Sequence, residues 1–197
     1  MTEWHRAPPG VRSVEEVPEG RTPTRWVHPE WRDRFPWLVQ GTTGRGGAGG
    51  EGDFALFAGV STRRPADAWV GLARSLGFAG VLCSRQVHGG GVGVEMDPPE
   101  GLRIGPDRDG HATVAPGVLL GVTVADCVPV FLVDAARGAV ALLHAGWRGT
   151  TAGVLEEGVR VLGSRVGSRP SDLFLHLGPA ICGRCYEVGP EVHQALG

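Results

Sequence analysis

The chain has 197 residues, of which 19 are arginine and none is lysine, and its formal net charge is −2. Because lysine is absent, the chain cannot form a Schiff base with a substrate and cannot contain a Walker A phosphate loop. A slightly negative chain is also not expected to be a dedicated nucleic-acid-binding protein, since that function needs a basic face.

No segment has the character of a membrane span or of a secretion signal. The most apolar segment, residues 117–133, contains Asp126 and Pro129, and the N-terminus lacks a basic start followed by an apolar run. Four cysteines without a secretion signal favour a reducing compartment, where cysteines more often bind metals or react than form disulfides. We therefore expect a cytoplasmic, monomeric protein that binds no membrane.

The first part of the chain predicts an extension, a strand, a loop and a helix. Residues 1–35 show no clear hydrophobic period and are expected to form a partly ordered extension. Residues 35–43 predict a first strand, and the segment 41–52, with seven glycines in twelve positions, predicts a loop. Apolar residues at helical spacing predict a helix over 65–76, which Gly77 ends.

Short apolar runs rich in valine and leucine dominate the rest of the chain. They predict buried strands at residues 79–83, 118–125, 129–134, 139–143 and 172–177. An alternating stretch at 91–96 predicts a strand beside the first of these, residues 97–117 predict a loop, and residues 150–162 predict a helix with Thr150 or Thr151 at its N-cap. The mixture indicates an α/β protein, a layered α/β/α single domain with a mixed sheet over residues 36–197.

Two glycine- or cysteine-based motifs are weak signals. The loop contains the dinucleotide-type pattern Gly44-x-Gly46-x-x-Gly49, but no convincing helix follows it, so a flexible loop is favoured. The pair Cys182-x-x-Cys185 has neither the second cysteine pair of a structural zinc site nor the helix start of a thioredoxin-like motif. Incidental cysteines are the favoured interpretation of that pair.

Three other residues each lie at the end of a predicted strand, namely His88, Cys127 and His144. Side chains at strand ends of a layered α/β sheet converge on one crevice. Two imidazoles and a thiolate form a three-ligand set for zinc that leaves a fourth position for water or substrate. The same trio could instead be a cysteine nucleophile with a histidine base.

Charged residues next to this trio suggest an anionic ligand. Arg148 lies near the start of a predicted helix, where a guanidinium and backbone N–H groups together bind phosphate or carboxylate well. Asp126 adjoins Cys127 in sequence. His111 follows Asp107 and Asp109 in a predicted loop and is expected at the rim of the site, and His176, within a predicted strand, is expected in the core.

Four motifs together resemble the YfiH family, also called the polyphenol oxidase or laccase-domain family. They are QVHG (86–89), ADCVPVFLVD (125–134), HAGWRGT (144–150) and LGPAICGRCYEVGPEV (177–192). The resemblance implies one zinc ion held by His88, Cys127 and His144. It also implies phosphorolysis of adenosine, inosine, guanosine or methylthioadenosine, with adenosine deamination as a side activity.

The resemblance also shapes the alternatives and the choice of substrate-binding residues. A copper-dependent polyphenol oxidase is disfavoured, because four-electron oxygen reduction normally needs several coppers and three ligands hold one metal. A Cys127 hydrolase and an inactive metal-binding domain stay open, and we expect the domain to lack the family's C-terminal portion. Without lysine, phosphate and nucleoside would be bound by Arg148, Arg45, Gln86 and Asp126.

Overall fold

The computed structural model of the chain describes residues 10–20, 23–44, 53–57 and 63–197. Its contacts divide the chain into two units, residues 1–52 and residues 53–197. The predicted division into an extension and a domain at residue 36 stays a prediction. No helix among the described residues is long and apolar enough to cross a membrane.

The described part of the first unit contains a small antiparallel sheet and one short helix. Its strands, in sheet order, are β1 (Val17–Glu19), β2 (Arg25–Val27) and β3 (Thr42–Thr43), and helix α1 spans Pro29–Arg34. His28 caps the helix, because its Nδ1 accepts a hydrogen bond from the Trp31 N–H at 3.4 Å.

Much of this first unit differs from the sequence-based expectation. The segment 1–35 was expected to be a partly ordered extension in which no element was predicted, and its described part contains β1, β2 and α1. The predicted strand over 35–43 is wrong except at Thr42 and Thr43. The chain leaves α1 at Phe35, whose N–H donates to the Trp31 carbonyl at 2.8 Å and whose side chain is buried.

The described part of the second unit contains four helices, eight strands and one short 3₁₀ turn at Pro170–Asp172. The helices are α2 (Arg63–Ser75), α3 (Trp147–Thr151), α4 (Val154–Val166) and α5 (Pro190–Leu196). The strands are β4 (Gly80–Ser84), β5 (Val92–Val94), β6 (Gly101–Gly105), β7 (Gly110–Thr113), β8 (Leu119–Leu120), β9 (Val128–Asp134), β10 (Ala139–Ala145) and β11 (Leu173–Leu177).

These strands form two sheets, each with a helix packed on it. The larger sheet has the order β11-β9-β10-β7-β5 and is antiparallel except for the parallel pair β5 and β7. Helix α4 packs on its centre through a core that includes Leu132, Leu143 and Leu162. The smaller parallel sheet, β6-β4-β8, packs against α2 through Trp69 and Val81. The predicted α/β class with a mixed sheet is confirmed.

Residues 97–117, which were predicted to form a loop, contain β6 and β7. Both strands are flanked by glycine, proline and aspartate, so local signals favour a loop. They form strands because β6 pairs with β4 and β7 pairs with β10. Strand β5 pairs with β7 and not with β4, which corrects the predicted neighbour. The predicted strand at 118–125 is reduced to the two residues of β8.

The predicted helix at 150–162 is two helices separated by Gly153, whose φ of +75° is left-handed. Neither Thr150 nor Thr151 is an N-cap. Each hydroxyl donates back to a carbonyl of the preceding turn, Thr150 to Gly146 at 2.9 Å and Thr151 to Arg148 at 2.9 Å. Strand β11 is also less buried than predicted, although His176 on it is buried beside Phe131 as expected.

Candidate metal centre

The structure brings His88, Cys127 and His144 together. One ligand atom of each side chain lies within 4.8 Å of the other two. Strand register explains part of this convergence, because Ala145 of β10 pairs with Val128 of β9, so that His144 and Cys127 lie at adjoining ends of neighbouring strands. His88 arrives from the loop after β4, and its ring meets the His144 ring edge to face at 4.9 Å between centroids.

The carboxylate of Asp109 contacts both histidine segments of this cluster. Asp109 is fully buried and accepts hydrogen bonds from the backbone N–H groups of Val87, His88 and Gly89 at 3.2, 2.9 and 2.8 Å. Its Oδ1 also lies 2.9 Å from Nδ1 of His144. A carboxylate bound to one ring nitrogen orients the ring and leaves the other, Nε2, for a ligand. Asp109 therefore fixes two of the three donors.

His88 has an unusual backbone conformation. Its φ is +57°, and it is the one non-glycine residue with a positive φ among the described residues. A left-handed conformation costs about 1–2 kcal/mol for a residue with a Cβ. The hydrogen bond of the His88 N–H to Asp109 helps to hold it there. Such local strain is typical of functional sites.

Two glycines of the HAGWRG segment leave space for the donors. A Cβ on Gly146 would lie 2.9 Å from Sγ of Cys127 and 3.2 Å from Cδ2 of His88. A Cβ on Gly149 would lie 3.2 Å from the carbonyl oxygen of Gly89, in the loop that carries His88. Any larger residue at Gly146 would therefore fill the space between two of the donors.

The Cys127 thiol is held in its neutral form in the absence of a cation. Burial raises its pKa above the ordinary value, and the negative charges of Asp126 and Asp109 raise it further. A bound metal ion reverses this preference, because a coordinating thiol is deprotonated. The donor chemistry of two imidazoles, one thiol and a supporting carboxylate fits a single transition-metal ion. The three side chains are thus a potential metal site.

The remaining candidate residues differ in their placement. Arg148 is exposed at the start of α3, and its guanidinium carbon lies 4.1 Å from the centre of the Trp147 ring. The Gln86 amide is engaged with Thr123, donating to its carbonyl at 2.7 Å and accepting from its N–H at 2.8 Å. Asp126 is exposed beside Cys127. Arg45 lies outside the described residues, as do Gly46 and Gly49 of the loop pattern.

Sequence reasoning missed the role of Asp109 and misplaced His111. The expectation that His111 lies at the rim is wrong, because it belongs to β7, is 3% exposed and pairs with Leu142 of β10. Burial, with a contribution from the positive charge of Arg108, lowers its pKa to about 4, against a smaller opposing effect of Glu95. No strong local signal marked Asp109, because it lies in a segment rich in glycine, proline and aspartate and the strand after it forms by pairing with β10.

Comparison with known proteins identifies the family of this chain. Residues 65–197 match the family model described as "Multi-copper polyphenol oxidoreductase laccase". The chain belongs to this family. The match covers all three donors, Asp109 and Arg148, and it confirms the resemblance to the laccase-domain family that the motifs indicated.

Individual relatives carry names of two activities. A purine nucleoside phosphorylase of Streptomyces coelicolor is 44% identical over 126 residues, which are 63% of this chain and 51% of the relative. "Adenosine deaminase RL5", from an unknown prokaryotic organism, is 36% identical over 150 residues, 71% of this chain and 56% of the relative. The present chain spans about half the length of the curated relatives it matches.

A solved structure supports the fold over most of the chain. The crystal structure of YlmD from Geobacillus stearothermophilus superposes with a TM-score of 0.78 at 30% sequence identity. The superposition covers 93% of this chain and 72% of YlmD. The arrangement of sheets and helices is therefore shared with that protein.

Proposed function

We propose that this chain is a zinc-dependent purine nucleoside phosphorylase that also deaminates adenosine. Its substrates would be phosphate and adenosine, inosine, guanosine or methylthioadenosine. The observation that carries the proposal is the convergence of His88, Cys127 and His144 within 4.8 Å above the buried Asp109 carboxylate. The relatives named as a phosphorylase and a deaminase supply the two activities.

Zinc is the metal that suits this donor set best. One thiolate and two imidazoles match catalytic zinc sites, which keep a position open for water or substrate, and zinc there supplies Lewis acidity. Copper is the alternative metal. Reduction of oxygen by a multi-copper enzyme needs several metal ions, and among the described residues only this one group of three donors converges.

The chain's own residues would position and orient the reactants. Asp109 holds His144 with Nδ1 engaged, so that the ring cannot rotate away from the centre. Gln86 holds the segment before Cys127 through Thr123, which favours a positioning role for Gln86. Asp126, exposed and adjacent to Cys127 in the chain, is the residue that we propose for contact with the nucleoside.

Arg148 is the candidate for binding phosphate in the described part of the chain. Its guanidinium is exposed and stacked on Trp147, and none of the ion pairs found among the described residues includes it. A planar guanidinium binds phosphate through two N–H groups at once. Phosphate held in this way would attack the anomeric carbon of the ribose as the purine leaves. Arg45 stays a second candidate.

A cysteine hydrolase is the second candidate function, and the electrostatics oppose it. A nucleophilic cysteine needs a lowered pKa, supplied by a cation or a helix N-terminus. Here burial and two nearby carboxylates raise the pKa of Cys127. Cys127 therefore suits metal binding better than it suits attack on a substrate. That the protein is monomeric and cytoplasmic stays a prediction.

The decisive experiment combines metal analysis with product analysis. The purified protein is expected to bind one zinc ion and, with adenosine and phosphate, to form adenine, ribose 1-phosphate and some inosine. Cys127→Ala is expected to lose both zinc and activity, whereas the matched control Cys182→Ser, an exposed cysteine, keeps both. Full zinc occupancy without either product would leave a metal-binding domain. Alkylation of Cys127 in a metal-free, active protein would support the hydrolase.

A further inference from the structure

The turn after β11 holds two exposed thiols against each other. Sγ of Cys182 and Sγ of Cys185 are 3.4 Å apart, and both side chains are exposed. The Cys182 carbonyl accepts hydrogen bonds from the N–H groups of Cys185 at 2.9 Å and of Tyr186 at 3.1 Å. The backbone of the turn thus fixes the pair in contact without a covalent bond.

The two thiols differ in acidity, as the two partners in disulfide exchange do. The Cys185 thiol stabilises the Cys182 thiolate by a hydrogen bond, and the N–H groups of Arg184 and Cys185 and the positive charge of Arg184 add to this, so the pKa of Cys182 is lowered. The same contact raises the pKa of Cys185. Cys182 is therefore suited to attack a disulfide and Cys185 to resolve the product.

A metal site is a poorer explanation of this pair. Structural zinc needs four ligands, and among the described residues the pair belongs to no group of three or more metal-binding side chains. Two thiols in contact can, by contrast, be joined by a disulfide, and exposed disulfides are the labile ones. Exposed disulfides of this kind are typically transient and redox-sensing in reducing compartments.

We propose that Cys182 and Cys185 form a reversible dithiol–disulfide site that reacts with small-molecule disulfides. The Cys182 thiolate attacks one sulfur of the small disulfide, whose S–S bond breaks and releases one thiol after protonation. Cys185 then loses its proton and attacks the Cys182 sulfur, which releases the second thiol. The two cysteines are oxidised, and the small disulfide is reduced to two thiols. This reaction does not depend on the proposed phosphorylase activity.

The location of the turn connects this site to the segment of Cys127. The N–H of Ile181 donates to the Asp126 carbonyl at 3.1 Å, and the N–H of Gly178 donates to the Pro129 carbonyl at 2.9 Å. The turn is thus hydrogen-bonded on both sides of Cys127. Oxidation of the pair would therefore act on a loop that is directly attached to the candidate metal centre.

Peptide mapping tests the proposal directly, because the four cysteines fall in four different peptides after cleavage at arginine. These peptides are 75–85, 109–137, 166–184 and 185–197. After treatment with oxidised glutathione and alkylation of the remaining thiols, peptides 166–184 and 185–197 are expected to be recovered as one cross-linked species. Dithiothreitol should separate them. Cys83, whose pKa burial raises, serves as the internal unreactive control.

Single-serine variants separate the two roles. Cys185→Ser is expected to accumulate glutathione on Cys182, whereas Cys182→Ser should react more slowly at Cys185, and neither should give the cross-linked species. Recovery of the two peptides uncrosslinked from the unaltered protein, or a disulfide that joins either cysteine to Cys127 instead, would overturn the proposal. Because no nucleoside is present, a failure here is distinct from a failure of the proposed enzyme function.

Discussion

The candidate metal centre and the Cys182–Cys185 turn both contain cysteine, but the two sites are assembled in different ways. The centre is assembled from distant parts of the chain, and a fully buried carboxylate, Asp109, bonds to two of them. The turn is assembled from neighbouring residues and lies at the surface. The first arrangement depends on tertiary structure and is vulnerable to remote changes, whereas the second depends on local backbone geometry.

Removal of the Asp109 carboxylate should have the largest effect. Asp109→Ala leaves three backbone N–H groups and Nδ1 of His144 without their partner. We expect a loss of about 3–5 kcal/mol in the free energy of unfolding, as for other broken buried networks. Metal affinity should fall roughly 10- to 100-fold. Denaturant unfolding and competition with a chelator measure the two effects, and Asp109→Asn provides a milder variant if the alanine protein does not fold.

Asp107→Ala is the matched control, since Asp107 is exposed and its ion pair is with the exposed Arg85. It should change the free energy of unfolding by less than about 0.5 kcal/mol and leave metal affinity unchanged. Equal losses in the two variants would show that Asp109 does not organise the centre.

Local signals in the sequence were enough to predict that the three candidate donors lie at strand ends, but not that Asp109 contacts two of their segments. His88, Cys127 and His144 each follow or end a run with a strong strand pattern, and the centres of β4, β9 and β10 were predicted well. The register of β9 and β10 brings Cys127 and His144 together, whereas His88 follows β4 of the other sheet, so its approach could not be predicted from one sheet. Asp109 could not be found in this way, because β7 has only four residues between turn-forming segments and exists through its pairing with β10.

The first unit shows the same limit more strongly. Strands β1 and β2 have three residues each, too few for a recognisable alternation of apolar and polar residues. The cap of α1 is His28, a residue outside the usual set of serine, threonine, aspartate and asparagine. Elements whose stability comes from pairing and packing leave little trace in the sequence.

Acidification should weaken the core beside the centre through His111. Its folded pKa of about 4 lies below its ordinary value near 6.5, so the unfolded chain takes up a proton that the folded protein excludes. The stability contribution is complete above about pH 6.5 and is lost as the pH falls toward 4, by up to about 3 kcal/mol. His111→Gln should remove this part of the pH dependence, and denaturant unfolding at pH 7 and pH 4 measures it. Parallel curves for both proteins would contradict the assignment.

A methyl group added at the centre should have a larger effect than one added at the turn. Gly146→Ala places a Cβ 2.9 Å from the Cys127 sulfur, so the donors must move apart, and we expect at least about a tenfold loss in metal affinity, or roughly 1.4 kcal/mol. Gly183→Ala, between the two turn cysteines, meets no atom within 4 Å and should leave both metal affinity and disulfide formation unchanged. Metal titration with a competing chelator compares them. Comparable losses would indicate that the centre is as open as the turn.

The smallest effect expected concerns the backbone strain at His88. Both His88→Ala and His88→Gly remove a donor, so both should lose metal to the same extent. They should differ in stability, because glycine adopts the observed φ of +57° without a steric penalty whereas alanine does not. Glycine also gives the unfolded chain more conformational entropy, which lowers stability. Even so, in metal-free protein we expect the glycine variant to be more stable than the alanine variant by about 1 kcal/mol. Denaturant unfolding in the presence of a chelator measures the difference. A more stable alanine variant would mean that the loop relaxes to a negative φ once the imidazole is gone, and that the imidazole, with Asp109, maintains the strain.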